Sequence, residues 1–127
     1  MSYCMTKVLT EDPAACEVRA REALMAQGFG ILTEIDVEAT LRAKIGAEIG
    51  AYKILGACNP AFAKGAIELE ARIGVMLPCN VVLRSVPGGT EVSFVDPVAS
   101  MAAIDNPALR AHAESVRNRL REAFERT

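Results

Sequence analysis

Only one histidine, His112, occurs in the 127 residues of this chain. A single imidazole rules out a histidine-rich metal centre. It also leaves no partner to activate a serine, because His112 falls on an expected surface position of the last helix. The four cysteines, at positions 4, 16, 58 and 79, include no close pair of the kind that zinc ribbons and iron–sulfur clusters use. No metal and no cofactor is therefore expected. An excess of one charge is missing as well. With 14 basic and 16 acidic side chains the net charge is -2, so nothing draws the chain to phosphate or anionic lipid, and neither nucleic acid nor a membrane is an expected partner. Long apolar runs are lacking too: Ile73 to Leu83 is interrupted by Pro78 and Asn80 and falls short of the ~18 residues of a membrane span. The first residues do not follow the charged, apolar, small-residue order of an export signal, so a cytoplasmic location with reduced cysteines is expected. Gly28-Phe29-Gly30 has no third glycine and no helix after it, which excludes a dinucleotide fingerprint. No linker, repeat or low-complexity tract divides the chain, and residues 1–127 form one expected domain.

What is present is a regular alternation of strand and helix signals. Tyr3 to Leu9 is extended, and Asp12-Pro13 then supplies a capping side chain followed by a residue that needs no amide donor. The helix this opens carries Ala14, Val18 and Met25 on one face, with Leu24 beside them, and stops at Gly28. Gly30 to Ile35 alternates as a second strand. Asp36 caps a short helix with Val37, Leu41 and Ile45 on its face. Tyr52 to Cys58 is a third strand, and Asn59-Pro60 opens a helix that turns Phe62, Ala66 and Leu69 inward. A fourth strand is expected from Ile73 to Leu83, interrupted at Pro78. Pro87-Gly88-Gly89 turns the chain back along Glu91 to Val95, which Asp96-Pro97 ends. After Asn106-Pro107, the series Leu109, Ala113, Val116, Leu120 and Phe124 marks a long helix. Its arginines alternate with Glu114, Glu122 and Glu125, a solvated face rather than a basic patch. The fold class is α+β, with about five strands in β-α-β(α)-β-α-β-β-α order.

Two strings, residues 52–60 (Tyr-Lys-Ile-Leu-Gly-Ala-Cys-Asn-Pro) and 73–82 (Ile-Gly-Val-Met-Leu-Pro-Cys-Asn-Val-Val), strongly resemble the family called domain of unknown function 302. Residues 28–36 and Asp96-Pro97-Val98 extend the resemblance over almost the whole chain. It implies an antiparallel sheet with helices packed on it in the manner of TATA-binding-protein-like folds, and commonly a dimer. It implies no activity and carries over no catalytic residue. Cys4 and Cys16 lie outside the shared strings.

The candidate site residues are Cys58, Asn59, Cys79 and Asn80. Cys58 precedes a helix start, where free amides and the helix dipole favour a thiolate; the other reading, and the commoner one, is a small residue under a closely packed helix. Cys79 shares a strand face with Leu77 and Val81, which suits a buried thiol. Asn59 either orients a ligand beside the thiols or caps its helix, and Asn80 either joins it or bonds nearby backbone. Glu34 and Asp36, on one strand face, either pair as acid and base or form a solvated face and a cap. The expected function is a homodimeric binding or interaction module, with a small-molecule ligand as a further possibility. The rival is a thiol-dependent redox or sulfur-handling protein in which strand pairing brings Cys79 to Cys58.

Overall fold

The structure, a computed structural model, describes residues 2–127. Its elements are β1 (Cys4–Leu9), α1 (Pro13–Ala26), β2 (Gly30–Asp36), α2 (Val37–Ile45), β3 (Tyr52–Cys58), α3 (Pro60–Leu69), a single 3-10 turn (Ile73–Met76), β4 (Cys79–Val86), β5 (Gly89–Val95), α4 (Pro97–Ser100) and α5 (Pro107–Arg126). The strands form one antiparallel sheet in the order β1-β5-β4-β3-β2. This is the α+β fold expected from the alternation of signals.

Capping chemistry sets the helix starts. Asp12, Asn59, Asp96 and Asn106 each accept a hydrogen bond from an amide of the first turn and are each followed by proline, while Asp36 caps α2 in the same way without one. At the far end of α1, Gly28 takes a φ of 84°, the left-handed stop that a side chain would resist.

One face of the sheet is buried. Leu55 and Ala57 of β3, Cys79, Val81 and Leu83 of β4, and Val92 and Phe94 of β5 point into the core against Cys16, Ala23 and Leu24 of α1 and Val116, Leu120 and Ala123 of α5. Phe94 meets Phe124 edge to face at 5.4 Å between ring centres, a geometry worth about 0.5–1.5 kcal/mol beyond the area buried. A second cluster, Ala66, Ile73, Val98, Met101, Leu109 and Ala113, locks α3 and α4 onto the start of α5.

Three expectations are corrected. The buried face of α1 is Cys16, Ala20, Ala23 and Leu24, whereas Val18 and Met25 are exposed; small side chains let α1 sit close on the sheet. The fourth strand begins at Cys79, because the chain from Ile73 coils into the 3-10 turn and leaves Val75 in solvent before the cis Leu77–Pro78 peptide. Leu69 is exposed rather than inward, and α2 buries none of its residues.

Candidate functional site

The end of the sheet where β3 stops and β4 starts is roofed by α3 and α5, and a cavity of about 310 Å³ lies between them. Its wall is mainly apolar: Phe29, Leu32, Phe62, Ala63, Met101 and Val116 contribute, together with the cis Pro78. Four side chains supply polar atoms, namely Cys58, Asn59, Cys79 and His112.

The ladder positions the two thiols. Ala57 stands opposite Cys79 across β3 and β4, and Cys58, one residue on, ends β3 beside it. Cys79 is buried in the core face, and its desolvation, with the neighbouring Cys58 as a smaller cause, pushes its thiol up to about 11. It is a protonated thiol at neutral pH. Cys58 is half-buried and closer to solvent.

Asn59 accepts a hydrogen bond from the Phe62 amide at 3.3 Å through Oδ1, which makes it the cap of α3. Its Nδ2 lies 2.8 Å from where a Cβ of residue 28 would stand, so Gly28 leaves the space that the asparagine occupies. Asn59 is thus both a cap and part of the cavity wall. Asn80 is elsewhere. As the residue after Cys79 in an alternating strand it points to the other face of the sheet, into a shallow depression with Tyr52, Arg84 and Glu91. The structure therefore brings together Cys58, Asn59 and Cys79 and separates Asn80 from them.

His112 is the residue that sequence reasoning placed wrongly. It is half-buried on the cavity wall rather than in solvent: Nε2–H donates to the Phe62 carbonyl at 2.7 Å, and the ring meets Phe62 edge to face. The signal was present, since His112 lies three residues after Leu109 and four before Val116, on the flank of the α5 stripe. Glu34 and Asp36 make no acid–base pair. Asp36 caps α2, and Glu34 bonds Lys53 and Arg21, which hold its carboxyl below the usual range.

Among the described residues no group of three or more His, Cys, Asp and Glu side chains is placed to hold a metal ion, and no helix is long and apolar enough to cross a membrane.

Comparison with known proteins gives one family. The sequence profile described as "Domain of unknown function DUF302" matches residues 5–127. No curated protein matches. Among solved structures, the chain is similar to an uncharacterized conserved DUF302 protein from Bacillus stearothermophilus. The TM-score is 0.93 at 26% sequence identity, with 99% of this chain and 98% of that one covered.

Proposed function

The chain belongs to the DUF302 family, and from that premise we propose that it is a cytoplasmic binding domain whose cavity takes one small, largely apolar ligand. The observation that carries the reading is the cavity itself. A volume of about 310 Å³ lies at the lower end of the range that small-molecule sites occupy, and an apolar wall with a few polar groups at one place is how such sites bind and orient a ligand. Four free cysteines suit a reducing compartment.

Titration of the reduced protein with the fluorophore 1-anilinonaphthalene-8-sulfonate tests the reading. One saturable site is expected, weakened at least tenfold in Ala63→Phe, which fills the cavity from α3. Equal binding by parent and variant, at unchanged circular dichroism, overturns it.

The domain works as a homodimer in this reading. Ile35, Ile54, Val82, Ser93 and Thr6 face one another in register across the five strands on the side away from α1 and α5, with Ile35 exposed. Beside this row Arg84 and Glu91 pair at 2.8 Å, so the face carries both signs and is complementary to itself about a two-fold axis. A second copy is the natural cover for it.

A second functional reading has its own support. Two of the four thiols line the same cavity, which is what a thiol-dependent redox or sulfur-handling role would need.

A further inference from the structure

We infer that Cys58 and Cys79 react as a pair, reducing a small organic hydroperoxide that enters the cavity and closing a disulfide across its wall. The inference rests on the reading of the cavity as a site for small apolar molecules.

Geometry supports the pair. Ala57 is the ladder partner of Cys79 and Cys58 is the next residue, a one-residue offset that at ordinary strand spacing places their Cα atoms about 6 Å apart, inside the range a disulfide spans. Both side chains reach the same cavity although their strand positions alternate, because Cys58 is the last residue of β3 and the chain turns there into Asn59. Among the described residues no hydrogen bond engages the Cys79 sulfur, which is buried with its open side toward the cavity. The other thiols have no such partner. Cys16 is wholly buried on the inner face of α1, and Cys4 lies on β1 opposite Val95, at the far edge of the sheet.

The roles follow from exposure. Cys58, nearer to solvent, attacks the terminal peroxide oxygen; the O–O bond breaks, the alkoxide leaves and takes up the thiol proton as an alcohol, and Cys58 becomes a sulfenic acid. The Cys79 sulfur then attacks the Cys58 sulfur. The S–O bond breaks, and the hydroxide combines with the Cys79 proton as water. One hydroperoxide and two thiols thus give one alcohol, one water and one disulfide, and an external dithiol restores both thiols. The apolar wall favours an alkyl or aryl hydroperoxide over hydrogen peroxide.

The test exposes the fully reduced protein to cumene hydroperoxide, blocks remaining thiols by alkylation and maps the peptides. A mass loss of two hydrogens and a linked Cys58–Cys79 peptide are expected, reversed by dithiothreitol. Cys79→Ala stops at a Cys58 sulfenic acid that dimedone traps, and Cys58→Ser leaves Cys79 alkylatable. Four alkylatable thiols after exposure overturn the inference. So does a bridge through Cys4, or dimedone labelling as strong in Cys58→Ser as in Cys79→Ala. Fluorophore binding is measured on the reduced form, so a cavity that binds the fluorophore while both thiols survive hydroperoxide removes this inference alone; a cavity that fails to bind it removes the underlying reading.

Discussion

Gly65 and His112 meet where α3 crosses α5: a Cβ on residue 65 would stand 2.8 Å from Cε1 of the imidazole. The ring has little freedom to withdraw, since the Phe62 carbonyl holds its Nε2 and the Phe62 ring lies against its face. A mid-helix glycine normally costs about 1 kcal/mol against alanine, so its presence here marks a helix-to-helix approach that no side chain permits.

Gly65→Ala is therefore expected to destabilise the protein by about 1–2 kcal/mol despite its better helix propensity. In an His112→Ala background the same change reverses sign and stabilises by up to about 1 kcal/mol. Denaturant unfolding of the four proteins in the cycle measures it, and equal effects in both backgrounds refute the contact.

The cap at the head of α3 gives a second expectation. Asn59→Ala removes the acceptor that meets the Phe62 amide and is expected to lower unfolding free energy by about 0.5–2 kcal/mol, whereas Asn59→Asp keeps an acceptor and stays within a few tenths. An unchanged denaturant midpoint in the alanine variant, with fluorophore binding lost, assigns Asn59 to the ligand instead.

Burial of Cys79 makes stability depend on pH in a defined direction. Its thiol ionises at about 11 in the folded chain against 9.0 when free, so between these values the unfolded state loses the proton first. Stability is then lost as pH rises from about 9 to 11, by at most about 2–3 kcal/mol. Parent and Cys79→Ala unfolded across this interval should converge as pH rises; a constant difference contradicts the assignment.

The proposed dimer makes the open sheet face testable. Ile54→Arg places a charge between Ile35 and Val82 on that face and, if the dimer forms there, converts a particle of twice 13.6 kDa into one of 13.6 kDa by light scattering, with the helical signal unchanged. A parent that already scatters as 13.6 kDa refutes the dimer.

Where a residue's chemistry acts locally, the sequence was sufficient. Asn59-Pro60 and Asn106-Pro107 begin helices because an asparagine acceptor and a proline ring act within one turn, and the α5 stripe from Leu109 to Leu120 contrasts sharply with the arginines around it. Contrast is what α1 lacks. Its buried face is mostly cysteine and alanine, so periodicity pointed instead to the bulkier Val18 and Met25, which face water. From Ile73 to Met76 the apolar residues satisfy a strand pattern, yet only Ile73 is buried, in the cluster that holds Leu109 and Met101, while the chain closes a turn through Val75 N–H to the Arg72 carbonyl and Leu77 N–H to the Gly74 carbonyl. Within the site, the strand pair that makes Cys58 and Cys79 neighbours depends on register, and His112 was missed because a polar residue beside an apolar stripe was assigned to solvent.

The strand order has a consequence for synthesis. Among the described residues β1 pairs in the sheet with β5 alone, which joins Cys4 to Val95 and Leu9 to Thr90. β1 is thus made before the other strands of the sheet and waits until β5 has been made before it can pair. Until then its amides have no native acceptor in the sheet, and the β1–β5 pairing is the contact of longest sequence separation that the sheet makes.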